Sequence, residues 1–190
     1  MSASIQATKK IKYRQQLAQL NVEHSTFLTG QTPTDLCAKA IQELQTTMEV
    51  NRHEYLLKKY INLFTPYVFS PEVNEFLCAY YGEEFNWKWP RFDIIDDTAL
   101  DSYYSTTWHC DSGPSTMLKL FLYLNPVNEH GCNTIIIDAP RTEILRSSGA
   151  LPLELDQRFI DVSDFLQKAG VSTETTAYNL VAGNILVFNP

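Results

Sequence analysis

Long apolar runs are missing from this sequence. No stretch approaches the ~20 consecutive apolar residues that a bilayer-crossing helix needs, so no membrane span is expected. An excess of basic charge is missing too. Fifteen Lys and Arg stand against 22 Asp and Glu in 190 residues, a formal net charge of −7. Non-specific nucleic-acid binding needs a net basic face, so no nucleic-acid partner is expected. Cysteine is sparse and badly spaced for metal or disulfide work. Cys37, Cys78, Cys110 and Cys132 include no C-x-x-C pair. That argues against a zinc ribbon and a disulfide framework, and for reduced thiols in a cytoplasmic protein. The opening segment, Met1 to Arg14, carries Lys9, Lys10, Lys12 and Arg14 and lacks the apolar stretch of a secretory signal.

What is present suits a folded domain. The chain is 44% apolar and 12% aromatic with 19% charged residues, and its length fits one domain spanning 1–190 with a proper core. Composition shifts along it. Residues 1–90 read as a mostly helical support region. A helix begins near Thr34, with Thr32 or Thr34 as cap, and Leu36, Ala40, Ile41 and Leu44 form its apolar face. The pattern resumes over Tyr55, Leu56, Tyr60, Ile61 and Phe64, and Pro66 is expected to interrupt it. Ser70-Pro71-Glu72 joins a capping serine, a first-turn proline and an acid at the positive dipole end. That helix should pass Leu77 and Tyr81 and stop at Gly82.

Residues 91–190 read as mostly extended. Candidate strands are Phe92 to Ile95, Tyr103 to Asp111, Leu118 to Leu124, Thr134 to Ile137, Thr175 to Val181 and Ile185 to Phe188. Asn125-Pro126, Asp138-Ala139-Pro140 and Ala182-Gly183-Asn184 act as turn signals between them. One helix, near Ser163 to Lys168, ends at Gly170. Such a series predicts a mainly β unit, an antiparallel sandwich or barrel with the N-terminal helices packed outside.

Trp108-His109-Cys110-Asp111 is the sharpest local feature. On a strand, His109 and Asp111 would share one face and Cys110 the other. An imidazole and a carboxylate at that spacing can reach one metal ion, and a second imidazole would complete the facial triad that binds Fe(II) with open positions. Alone, the tripeptide fits a strand-end histidine bonded to a nearby acid better than it fits a metal site. His24 and His53 lie on helical, solvated faces, and His130 falls in an expected turn at Asn128 to Gly131.

The stretch WHCDSGPSTMLKLFLYLNPVNEHGCNTIII resembles the phytanoyl-CoA dioxygenase-like branch of the Fe(II)/2-oxoglutarate oxygenases. The features alike are W-H-x-D, a small-residue loop at Ser112 to Ser115, an LKLFxYLxxV strand at Leu118 to Val127 and a turn containing Gly131. Gly183-Asn184-Ile185-Leu186-Val187-Phe188 is similar to the family's G-[DN]-x-x-x-F strand. The resemblance covers about residues 100–190. It implies a double-stranded β-helix, or jelly roll, over 91–190. It also implies Fe(II) as metal, 2-oxoglutarate as co-substrate, dioxygen, and hydroxylation of a small-molecule substrate coupled to release of succinate and carbon dioxide. The family's second metal histidine, its 2-oxoglutarate-binding arginine and its final strand would fall beyond Pro190, so the core is expected to be incomplete here.

Roles follow from the resemblance and from strand parity together. His109 and Asp111 are the candidate metal ligands. Lys119, Thr107 and Ser105 are candidates for the co-substrate: Lys119 either snorkels to solvent or meets a carboxylate, and the two hydroxyls share the parity of His109. Tyr103, of the same parity, and Arg141, in an expected loop at the site mouth, are candidates for substrate. Trp108 points the other way, into the core, and Trp87, Trp89, Tyr80 and Tyr81 form an aromatic stretch whose default is packing. The competing expectation is a non-catalytic jelly-roll module that binds a ligand or partner through an incomplete metal site.

Overall fold

The structure is a computed structural model and describes residues 10–30, 32–46, 53–82, 85–87, 107–111, 113, 114, 116–130 and 133–190. Helix α1 (Arg14–Glu23) leads into strand β1 (Ser25–Leu28). Helices α2 (Thr34–Thr46), α3 (His53–Val68) and α4 (Pro71–Tyr81) follow, then strand β2 (Lys119–Leu122), the single turn α5 (Val127–His130), α6 (Ala139–Ser147), α7 (Ser163–Lys168) and strand β3 (Ile185–Phe188).

Local chemistry explains the helix ends. Ser70 Oγ accepts the Val73 amide at 3.4 Å, Pro71 occupies the first turn of α4, and the amide of Gly82 donates to the Cys78 carbonyl. Gly82 has φ 100°, a conformation that side chains resist. Pro66 departs from expectation, because α3 runs through it to Val68. The Thr65 hydroxyl donates to the Ile61 carbonyl at 2.6 Å, and the Phe69 amide donates to Thr65 O at 2.9 Å, so the backbone stays largely bonded past the proline.

The strands form a three-stranded antiparallel sheet in the order β1-β3-β2. Central β3 is buried on both faces, and Ile185, Leu186 and Val187 are each fully enclosed. That is why four consecutive apolar residues make a strand here without alternation. On one face Leu28, Ile185, Val187, Leu120 and Leu122 pack on Tyr13, Leu20, Val73, Phe76 and Leu77 of the helical layer. On the other, Leu186 and Phe188 pack with Val127, Ile136 and Leu180. Lys119 and Phe121 stand opposite Phe188 and Leu186 and so share that second face. The Phe121 and Phe188 rings meet edge-on at 4.8 Å. Beyond β1 the backbone of Gly30 lies so close to the 182–184 turn that a Cβ there would sit 1.3 Å from the Gly183 carbonyl oxygen.

The expected mainly β jelly roll is not what the chain forms. Among the described residues about 48% are helical, and the sheet is small and three-stranded. The reason lies in segments whose β-branched composition suits a strand but which find no continuous ladder, since strand preference depends on a packed partner. Thr134 to Ile137 and Thr175 to Val181 share side-chain packing, but among the described residues their backbones pair only at the isolated bridge Ile136–Thr176. Asp138-Ala139-Pro140 opens a helix: Asp138 Oδ1 accepts the Arg141 amide at 3.0 Å, and Pro140 sits in the first turn. The described part of Tyr103 to Asp111, residues 107–111, is not in a strand, and Asn128 to His130 lie in the helical turn α5. The expected strand Phe92 to Ile95 lies outside the described residues, as does Gly131.

Candidate metal-binding cluster

Residues 107–111 reach β2 through a short turning loop, in which the Gly113 amide donates to Asp111 O and the Met117 amide to Pro114 O. The loop brings Lys119, the first residue of β2, back against Asp111. Trp108 anchors the segment from behind. Its amide donates to the Phe159 carbonyl at 2.8 Å, and its ring packs on the cluster of Ile137, Leu145, Val162 and Leu166 between α6 and α7. With Trp108 turned inward, His109 and Asp111 come together although no strand carries them.

The His109 ring makes two directed contacts. Nδ1 lies 2.6 Å from the carbonyl oxygen of Thr107. A carbonyl only accepts, so Nδ1 carries the proton and donates it, and in the neutral ring Nε2 holds the lone pair. That Nε2 faces Asp111 Oδ1 at 3.7 Å, while the Lys119 ammonium pairs with Asp111 Oδ2. Two acceptor atoms therefore confront each other with nothing to share between them. A cation, metal ion or proton, is what resolves such a pair. The cluster is partly enclosed, with side-chain exposures of 21% for His109, 26% for Asp111 and 37% for Lys119.

An imidazole nitrogen with a carboxylate oxygen is a donor set that suits divalent first-row ions. Metal bonds of ~2.1 Å at a right angle set two donors ~3 Å apart, so the observed pair needs to close by less than an ångström. The hydrogen bond from Nδ1 to a backbone carbonyl is the support that metal-binding imidazoles use to fix tautomer and orientation. The residues fit a divalent cation at two coordination positions. Among the described residues no group of three His, Cys, Asp or Glu side chains gathers in one place.

The other candidates are placed as follows. Thr107 contributes its backbone carbonyl to His109. Tyr103 and Ser105 lie outside the described residues. Arg141 is in α6, and its guanidinium ties the helix start to the chain at 172–174: Nε pairs with Asp138 Oδ2 at 3.1 Å, and Nη1 donates to Ser172 O at 3.1 Å and to Glu174 O. Burial alone would raise the Asp138 carboxyl, but the hydrogen bonds and charge of Arg141 hold it below the usual carboxylate range. His24 ends α1 in a left-handed conformation, φ 58°. Burial and the nearby Arg146 charge lower its pKa. The side chains of His53 and His130 and all of Trp89 lie outside the described residues, and Trp87 packs against Phe69 at 4.5 Å with about half its surface exposed.

Two contributors gave no signal in the residue pattern. The Thr107 carbonyl belongs to the backbone, which every residue shares. Arg146 of α6 brings Nη2 to 3.8 Å from Cys110 Sγ across 36 residues, while its Nη1 pairs with Glu143 at 3.1 Å.

No protein-family model matches this chain, and comparison with curated proteins and with solved structures yields no match either.

Proposed function

We propose that the chain is an Fe(II)- and 2-oxoglutarate-dependent oxygenase acting on a small molecule, with His109 and Asp111 as metal ligands. One observation carries the reading: His109 Nδ1 lies 2.6 Å from Thr107 O, an arrangement that in the neutral ring leaves the lone pair on Nε2, and Nε2 faces Asp111 Oδ1. The resemblance of WHCDSGPSTMLKLFLYLN supports it. So does the antiparallel pairing of Lys119–Leu122 with Ile185–Phe188, the two apolar stretches on which the resemblance rests.

Fe(II) with 2-oxoglutarate and dioxygen supplies oxidation of an unactivated C–H bond, with the oxo acid leaving as succinate and carbon dioxide. The chain's own part is positioning. Thr107 O holds the imidazole in one tautomer, Lys119 holds one carboxylate oxygen so that the other faces the ring, and Trp108 fixes the segment to the α6–α7 core. Phe121, next along the same face of β2, offers an apolar wall for a substrate. No helix among the described residues is long and apolar enough to cross a membrane. Cys37, Cys78 and Cys110 are unbridged, which supports the reducing cytoplasm as the compartment.

The second reading, a non-catalytic ligand-binding module, draws on the Asp111–Lys119 pair, which neutralises the carboxylate without any metal. Release of succinate from 2-oxoglutarate by the purified protein with Fe(II) and dioxygen separates the two. The oxygenase reading expects succinate above the background of His109→Ala and Asp111→Ala. A folded wild-type protein that makes no more than these variants contradicts it.

A further inference from the structure

We propose that the chain binds a second copy of itself head to tail: the basic segment at Lys10, Ile11 and Arg14 of one copy docks on the acidic loop that leads into α7 of the next. The inference goes beyond the metal-site reading and stands without it.

Charge is unevenly spread along the chain. The first fourteen residues hold four of the 15 basic side chains and none of the 22 acidic ones. Lys10, Ile11 and Arg14 are exposed, Ile11 to 74%. Their neighbour Tyr13 anchors the segment to α4. Its buried ring meets Phe76 edge-on at 5.7 Å, and its hydroxyl donates to the Glu72 carbonyl at 3.1 Å. Lys12 pairs with Glu75 at 2.6 Å. Lys10 and Arg14 make no ion pair among the described residues.

The opposite pattern stands between residues 153 and 164. Glu154, Asp156, Asp161 and Asp164 are set there against one base, Arg158. All four acids are exposed, and none has a cationic partner among the described residues. Leu153 and Ile160, flanking them, are 70% and 71% exposed. The loop is nonetheless well held. A 3-10 turn (Leu155–Gln157) shapes it, and Asp161 Oδ1 accepts the Ser163 amide at 2.8 Å. The Phe159 carbonyl takes the Trp108 amide, and the Phe159 ring meets Phe165 edge-on at 5.0 Å. One exposed leucine on a surface is ordinary, but apolar side chains beside a row of unpaired carboxylates mark a place where a partner adds both contacts and charge.

The chain carries the matching pattern itself. The basic segment is tied into the Tyr13–Phe76 cluster and the acidic loop into the cluster of Trp108 and Leu166. Among the described residues no hydrogen bond or ion pair joins the two surfaces within one chain. Each surface is left for another molecule, and every copy supplies both. Docked together, Lys10 and Arg14 meet the unpaired carboxylates, and Ile11 gains Leu153 and Ile160 as apolar neighbours. A contact between two different surfaces is heterologous, so it adds copies in series or closes a ring. Its salt dependence is diagnostic. Whole chains of net charge −7 repel, and salt relieves that repulsion. A local contact between opposite charges is weakened by salt instead.

Sedimentation velocity of the full chain at rising concentration tests this. Mass should grow with concentration at about 0.05 M salt, and association should weaken at least about ten-fold at about 0.5 M. Lys10→Glu with Arg14→Glu should abolish association, and so should Glu154→Lys with Asp156→Lys. Mixed one to one, the two double variants should associate again, because each then offers the charge that the other lacks. Ile11→Ser keeps every charge and should weaken association about ten-fold. Near-ultraviolet circular dichroism confirms that each variant is folded. A wild type that stays monomeric at every concentration overturns the inference. So does association that salt strengthens, a mixture of the double variants that stays monomeric, or an Ile11→Ser protein that associates as wild type does. None of these outcomes bears on succinate release, so the oxygenase reading stands or falls separately.

Discussion

Two parts of the molecule sit within one strand of each other and are built on different principles. Strand β3 is closed on both sides, with Ile185, Leu186 and Val187 fully buried between a helical layer and the Val127–Ile136–Leu180 cluster. The cluster of His109, Asp111 and Lys119 is reached from the neighbouring strand β2, yet it is partly open and is held by a few polar contacts. In the first region every neighbour adds van der Waals contact, and stability grows with the area removed from water. In the second, an imidazole nitrogen faces a carboxylate oxygen at 3.7 Å, too far for a hydrogen bond that would stabilise the fold. Such a division is what a binding site on a rigid support looks like: the packing is placed where it resists, and the unmet chemistry where something else can supply it.

Substitutions in the two regions should therefore act on different observables. Leu186→Ala empties a fully enclosed position and should cost about 2–5 kcal/mol, read from the urea unfolding midpoint. Its effect on Mn(II) affinity, measured on the fraction still folded, should be small by comparison. His109→Ala should do the reverse: a stability change under about 1 kcal/mol, with Mn(II) binding lost. If His109→Ala destabilises as much as Leu186→Ala, the imidazole is a core element and the contrast between the regions fails.

The smallest effect concerns the helical layer, where charge replaces packing on the outer side. Lys59 Nζ pairs with both carboxylate oxygens of Glu43, at 2.6 and 2.7 Å, and the Tyr60 hydroxyl donates to the same carboxylate. These bonds, that from Lys59 foremost, hold the Glu43 carboxyl below its usual range. Burial and the Glu43 carboxylate push the Tyr60 hydroxyl up to about 12. A carboxyl depressed on folding stabilises the fold above the ordinary carboxylate range, and that contribution is lost as pH falls through the depressed value. Wild type should thus lose more stability between pH 7 and pH 3 than Glu43→Gln does, in paired urea titrations. Equal losses would remove Glu43 from the account.

How much of this was legible beforehand differs between the regions for physical reasons. Ser70-Pro71 and Gly82 announced α4, and the Ile185–Phe188 run announced β3, because caps, prolines and short apolar runs act locally. Thr134 to Ile137 and Thr175 to Val181 read as strands because β-branched composition is local, whereas the partner ladder a strand needs is not. Asp138-Ala139-Pro140 carries a cap and a first-turn proline much as Ser70-Pro71 does, yet the same residues also suit a turn, so the pattern alone does not reveal α6 or the helical setting of Arg141. Of the site, the spacing of His109 and Asp111 was visible. The Thr107 carbonyl that sets the tautomer, the return of Lys119 onto Asp111 and the approach of Arg146 to Cys110 were not, since each depends on the path of the loop or on contacts between distant segments.

The claim beneath all of this is that His109 keeps its proton on Nδ1 and offers Nε2 to a cation beside Asp111. Nitrogen-15 NMR of the histidine ring, recorded before and after adding diamagnetic Zn(II), measures it directly. The account predicts a proton on Nδ1 throughout and a shift at Nε2 when Zn(II) is added, absent in Asp111→Ala. A proton fixed on Nε2 alone, or an Nε2 resonance indifferent to Zn(II), would contradict it.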